Sequence, residues 1–586
     1  MTTPAAEELR LTWVQPEDLL GHELRQAAED GRDAADVRRR WLAAGGALAP
    51  DRAGASPGPT PPVLRTLAES LLDELASGIS PLAPDEPTAL AAIHATSPAR
   101  RPTGLLSVSV AGQATELSTS VLGQAAAPSG SEADQADQAA APTTSTAGQA
   151  SEPSAVPAGT ADGRAAPAPP AGGVTPAAEA EADRSTPGRA VVPGRTDVPD
   201  AADPVGGLLP GGSAGSAVAP DAARAALVTR LEAAWLGRAA GCLLGKPVEK
   251  LTLGGIRAIA AGTGNWPLDD WFTGIGLDPA VAARHPWNRR SRPTSLAENI
   301  NGMPEDDDLN FPLLGLLLLE AHGHGFGTAD VARLWLAELP AGRTFTAERV
   351  AYRNLLDGVE PPHTATRRNP FREWIGALIR ADVYGWTHPG DPAAAGDEAW
   401  RDAVLTHTAN GVYGAMFAAA VIARAAGGGA DVHGCLAAGL DVVPAKSRLA
   451  GAVRFGIAAA RAEPTGTPAG FAEVVDALHA AYGDHHWVHV LPNACLLAAA
   501  LTHADGDFTG SITRAVSGGW DTDSNGATAG SVAGLLAGSP GALPGRWTDP
   551  LKNRLSTTVG GLDGIGFDTL ARRTAALAVL PQEGSS

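Results

Sequence analysis

The sequence predicts an all-α fold, and three observations carry that expectation. From about Asp221 to Pro581, Ala- and Leu-rich stretches alternate with loops rich in Gly, Pro, Asn and Asp. The period-two alternation that a half-buried strand requires is scarce. Segments such as Val412 to Ala426 and Ala494 to Leu501 hold almost no polar side chains, as helices buried on most sides do. A compact multi-helix domain over 221–582 follows, the largest of three parts of the chain.

The first part, residues 8–100, is a small helical segment. Leu19, Leu20 and Leu24 begin an amphipathic pattern that Val37, Trp41 and Leu42 continue, and Leu64, Leu67, Leu71, Leu72 and Leu75 form a second one. No chemistry is visible in it. The second part, 103–220, is low in complexity: Ala, Pro, Gly, Ser, Thr and acidic residues dominate. Such a stretch cannot bury enough apolar surface to offset the entropy of ordering it, so a disordered linker is expected. The N-terminal segment then reads as a module that recruits a protein partner through that linker, or as an unrelated accessory.

A net charge of -20 argues against a nucleic-acid groove, because neutralising phosphates needs clustered Lys and Arg. Cys242, Cys435 and Cys495 are too far apart for a CxxC pair and read as reduced core thiols. Neither a leader pattern nor an apolar run of about 20 residues is visible, which points to a soluble cytoplasmic protein without a membrane role.

Three motifs carry the chemistry. The first is Pro304-Glu305-Asp306-Asp307-Asp308-Leu309-Asn310-Phe311-Pro312, running into the apolar stretch Leu313 to Leu319. Pro312 fits only the opening turn of a helix, which puts the acids just before its N-terminus, where free N–H groups and the helix dipole favour anions. Adjacent carboxylates repel, and a divalent cation is their natural counter-charge; taken alone, a solvated acidic cap also accounts for them.

The second motif is Gly518-Gly519-Trp520-Asp521-Thr522-Asp523-Ser524-Asn525-Gly526. Residues two apart do not share a helix face, so Asp521 and Asp523 converge only if the chain is still turning, as the paired glycines permit. With the Ser524 hydroxyl they form a hard oxygen set suited to Mg²⁺ rather than zinc. An Asx-rich turn and helix cap is the plainer reading of this motif by itself.

The third motif places Gly237, Gly241 and Gly245 one helical turn apart, followed by Lys246-Pro247-Val248-Glu249. A close helix contact explains the glycines. The Gly-Lys pair fails the spacing of a phosphate-binding loop, and Pro247 stands where that loop needs Ser or Thr.

Together these motifs resemble the ADP-ribosylglycohydrolase family, over about residues 226 to 580. That family shows a GxxxGxPxE-like start, an early Thr/Asp-Asp-Asp cluster and a late Asp-x-Asp-Ser/Thr cluster, and all three stand here in that order. The resemblance implies an all-α fold whose acidic clusters meet around two Mg²⁺ ions. Asp306, Asp307 and Asp308 would form one half of that site and Asp521, Asp523 and Ser524 the other, with Asp307 and Glu249 as the catalytic carboxylates.

The first cluster lacks the common Thr-Asp-Asp-Thr form, so a register using Glu305, Asp306 and Asp307 stays open. Trp520 separates the glycines from Asp521 where many relatives have Gly-Asp. Gly519 and Trp520 are therefore expected at the substrate pocket. Thr406-His407-Thr408-Ala409-Asn410-Gly411-Val412-Tyr413 looks like the family's Ser/Thr-His loop, which makes Thr406, His407, Asn410, Gly411 and Tyr413 substrate-side candidates. A capping or core role for His407 is the alternative, and Arg380 is expected to bridge Asp382 or a neighbour.

His485, His486 and His489 lack a third zinc ligand at a recognisable spacing and read as a loop feeding the next helix. The implied reaction is Mg²⁺-dependent hydrolysis of an N- or O-glycosidic bond at ribose C1 of an ADP-ribosylated protein, nucleic acid or metabolite. Two-metal phosphoryl or pyrophosphate hydrolysis and a non-catalytic ADP-ribose-binding module are the rival readings.

Overall fold

A computed structural model describes residues 14–49, 60–98 and 219–580 of the chain. The linker expected over 103–220 lies outside the described residues, apart from its last two residues, which open the helix that begins at Ala219. Among the described residues the protein is all-α, without a β-strand; three isolated bridges, Met303 with Leu555, Trp374 with His489 and Leu555 with Ile565, are its only β pairings.

Four N-terminal helices, α1 (Pro16–Glu29), α2 (Ala35–Ala43), α3 (Pro62–Ala76) and α4 (Leu90–Thr96), belong to the same compact unit as everything from residue 219 onward. The reason lies in the face of α1. Leu19, Leu20 and Leu24 are buried, and His22 is edge-on to Phe371, Trp374 and His486 at centroid distances of 5.1, 5.9 and 6.1 Å. Polar bonds reinforce the contact: Trp400 Nε1 donates to Thr88 O at 2.8 Å and Ser97 Oγ to Val442 O at 3.1 Å.

The central pair is α5 (Ala219–Gly245) against the helix Thr522–Ala537. The three glycines predicted to mark a close contact do so. A methyl group at Gly241 would overlap the carbonyl of Gly526, and one at Gly237 the carbonyl of Gly530, so the two backbones touch where any larger residue would separate them. Thr522 Oγ1 donates to Gly245 O at 2.8 Å and closes the pair at its functional end.

The acidic helix α6 (Asp307–His322) departs from expectation in its start. Its N-cap is Asp306, so Asp307 and Asp308 lie inside the first turn and Pro312 sits a turn further in. Pro312 has no N–H for the carbonyl of Asp308 four residues earlier. Arg238 Nε of α5 supplies the missing donor at 2.8 Å, which is why the proline is tolerated there.

Helix α7 (Ala409–Ala426) is the one described helix long and apolar enough to cross a membrane, and 89% of it is buried inside the fold, as a core helix is. Helix α8 (Val490–His503) carries Asn493, and α9 (Thr522–Ala537) carries the late acids. Cys242, Cys435 and Cys495 are free and buried, as expected of core thiols.

Candidate metal centre

The acidic motifs meet between the ends of α5, α6 and α9. Asp306 caps α6 by accepting from Asp308 N at 2.9 Å through Oδ1, while its Oδ2 carries the ammonium of Lys246. Asp308 is buried: Ser524 Oγ donates to its Oδ2 at 3.3 Å, Cys242 Sγ lies 3.8 Å from the same oxygen, and Oδ1 has no hydrogen bond, with Arg238 Nη2 at 3.6 Å. Asp307 reaches solvent, unlike its two neighbours. The extended backbone of the cap residue Asp306 turns its side chain back onto the first turn, where it accepts from Asp308 N.

On the other side, Asp521 is the N-cap of α9 and Asp523 lies in its first turn. The turn is made by Gly519 (φ +81°) and Trp520 (φ +53°). A tryptophan in the left-handed region is disfavoured by about 1–2 kcal/mol. Stacking on His479 at 3.7 Å with rings 7° apart holds it there. Asn493 locks the turn from α8. Its Oδ1 accepts from Asp521 N at 3.0 Å and Asn525 Nδ2 at 2.7 Å, and its Nδ2 donates to His489 O at 2.8 Å and Trp487 O at 2.9 Å.

Glu249 completes the arrangement from the turn after α5, held by Asn288 Nδ2 at 2.6 Å and by Lys250 at 2.6 Å. Ligand atoms of Glu249, Asp521 and Asp523 lie within 4.8 Å of one another, as do those of Cys242, Asp306 and Asp308. Burial, followed by the neighbouring carboxylates, pushes Asp307, Asp308 and Asp521 well above the usual carboxylate range and Asp523 up to about 7. Burial would raise Asp306 too, but Lys246 beside it brings it below the ordinary value. Crowded carboxylates beside a hydroxyl, one buried oxygen without a hydrogen bond, and the hardness of this donor set fit a divalent cation such as Mg²⁺.

Of the two registers for the early cluster, the geometry gathers Asp306 to Asp308. Glu305 turns away, its Oε2 on Arg343 at 2.9 Å and its Oε1 accepting from Asn310 at 2.8 Å. Gly519 and Trp520 border the late acids. The five substrate-side candidates from the Thr-His loop are not brought to the acids by their hydrogen bonds. Thr406 Oγ1 receives Arg380 Nη2 at 2.7 Å and meets His407 Nδ1 at 2.6 Å, Asn410 bonds Glu373 at 3.1 Å, and the Tyr413 hydroxyl donates to Pro87 O. A side chain at Gly411 would strike Arg372 O, so that position serves packing. All five are buried.

Arg380 itself pairs with Asp402 and Glu348, each at 2.7 Å, whereas Asp382 belongs to Arg238 at 2.8 Å. His489 caps α8 by accepting from Leu491 N at 3.2 Å, and His486 stacks on Trp374 at 4.2 Å, as a helix-feeding loop would. A separate cluster of His324, His388 and Glu398 has metal-like spacing, but Arg401 at 3.2 Å already supplies that carboxylate with a cation. Sequence reasoning missed Arg238, Asn493 and Lys246 at the centre. The signal for Arg238 was Pro312, which leaves a carbonyl four residues back in need of a donor.

The fold and site define an all-α protein with two clusters of carboxylates at metal-ligand spacing. The ADP-ribosylglycohydrolase family model matches residues 223–582, and the chain belongs to that family, whose members are generally hydrolytic. Among solved structures it is similar to an "ADP-ribosylglycohydrolase-related protein complex", at 19% identity and a TM-score of 0.37, over 60% of this chain and 99% of that one. No curated protein matches it.

Proposed function

We propose that the chain hydrolyses a glycosidic bond at C1 of the ribose in an ADP-ribosylated substrate, in a Mg²⁺-dependent reaction. The observation that carries this reading is the pair of adjoining acid groups, Asp306 with Asp308 and Glu249 with Asp521 and Asp523, linked where Ser524 Oγ donates to Asp308, in a member of a generally hydrolytic family. Mg²⁺ held among the carboxylates of the two acidic motifs would orient vicinal ribose hydroxyls and offset charge that develops at C1.

The remaining work falls to the protein. Asp307, the solvent-facing acid of the early cluster, and Glu249, fixed by Asn288, are the carboxylates placed to take a proton from water. Trp520, pinned by His479, immediately precedes the late acids. The turn locked by Asn493 holds Asp521 in place before substrate arrives, and such preorganisation is worth more than contacts formed during reaction.

The test is a Mg²⁺-dependent panel of ADP-ribosyl-arginine, ADP-ribosyl-serine, O-acetyl-ADP-ribose and ADP-ribosylated nucleic acid with the full chain. Release of free ADP-ribose is expected. AMP or phosphate as product would identify phosphoryl hydrolysis instead, and binding without turnover a recognition module. Folded Asp307→Asn and Asp523→Asn variants with undiminished hydrolysis would overturn the site.

A further inference from the structure

The oxygen donors at the centre fall into two groups, and they differ in what already neutralises them. In the group of Cys242, Asp306 and Asp308, Asp306 has both oxygens committed, one to the Asp308 N–H and one to Lys246. Lys246 is only 7% exposed and also donates to Glu305 O at 3.3 Å. Asp308 has the guanidinium of Arg238 beside it. In the group of Glu249, Asp521 and Asp523, the one contacting cation is Lys250, whose side chain is 44% exposed and can leave. Neither Asp521 nor Asp523 has an ion-pair partner among the described residues.

We propose that Lys246 permanently fills one of the two cation positions which the acid cluster would otherwise offer, so that this chain binds a single divalent ion, on the side of Asp521 and Asp523. This inference rests on the proposed Mg²⁺ dependence. A fixed buried ammonium beside a second guanidinium repels a metal ion from the first group, while leaving the buried carboxylates there balanced. Asp306 is then a helix cap and a partner for Lys246 rather than a metal ligand.

Mn²⁺, which shares the oxygen preference of Mg²⁺, serves as the probe. Calorimetric titration of the full chain is expected to give one Mn²⁺ per chain, with the six-line paramagnetic resonance spectrum of an isolated ion. Lys246→Met is expected to raise the stoichiometry to two and to produce a spin-coupled spectrum. Because that variant leaves Asp306 without its partner, Lys246→Met/Asp306→Asn is the companion: it removes both charges together and is expected to fold and still bind one ion. Two ions in the parent chain, one ion in a folded Lys246→Met, or loss of binding in the double variant each overturn the role given to Lys246. No Mn²⁺ binding by the parent overturns the proposed Mg²⁺ dependence itself, and the inference with it.

Discussion

Charge is buried in two regions of this molecule, and it is arranged in opposite ways. At the acid centre carboxylates face carboxylates. At the contact between the N-terminal helices and the rest of the fold, carboxylates alternate with guanidinium groups. Arg372 meets Glu23 at 2.8 Å and Asp30 at 3.1 Å, Arg32 meets Glu23 at 2.7 Å, and Arg448 meets Glu86 at 2.7 Å and Glu373 at 2.8 Å. These groups surround a cavity of about 420 Å³, which none of the centre's acids lines. The second region pairs its charges as it stands and serves cohesion; the first sets carboxylates against one another, an arrangement that the proposed cation would offset. Stability and function are thus separated in space.

The largest effect should come from the acid centre. Asp521→Asn/Asp523→Asn is expected to lower the proposed hydrolysis at least about a thousand-fold, or roughly 4 kcal/mol of transition-state stabilisation. The same variant should melt higher than the parent without added metal, because two mutually repelling groups are gone. A melting curve and a rate measured on one preparation check both signs, and a fall in both would break the comparison.

At the completed network the sign reverses. Arg372→Ala is expected to destabilise by about 3 kcal/mol, the low end for breaking a buried pair because Arg372 keeps 13% exposure. Denaturant unfolding measures it. Loss of less than about 1 kcal/mol would place these pairs among ordinary surface bridges.

The smallest effect is a pH dependence at Glu29, where α1 ends. Burial first, then Glu373 and Asp30, push its carboxyl up to about 7 against the pull of Arg25 and Arg448, and His489 Nε2 stands 3.4 Å away. Since the folded value exceeds the unfolded one, the native state holds the extra proton between about pH 4.5 and 7, and stability falls as pH rises through that window. Glu29→Gln should match the parent at pH 4 and exceed it by about 1–2 kcal/mol at pH 8, a discount on the full shift because the side chain is 12% exposed. Equal stability at both pH values would remove Glu29 from the account.

Much of this was legible beforehand, for physical reasons that particular residues show. The glycine triplet in α5 announced a backbone contact because only glycine permits one, and the early and late acidic motifs do meet, Ser524 Oγ donating to Asp308. The burial of Thr406, His407 and Tyr413 was not legible, since they are polar and their burial depends on which helices cover them. Nothing in the sequence of Arg372 or Glu23 reveals that residues 349 positions apart will pair. The N-terminal segment showed its amphipathic face, but the surface that receives it is assembled only in the folded chain.

The glycine contact between α5 and α9 also bears on chain length. Lys246 and Glu249 follow the last turn of one helix, and Asp521 and Asp523 open the other, so both halves of the centre are indexed to the same pair of interlocked backbones. A single residue inserted between Gly241 and Glu249 would advance everything after it by about 1.5 Å and 100°. Substitutions around the rim leave that registration intact; insertions and deletions in these two helices do not, and the loops between them are where the chain is free to change its length.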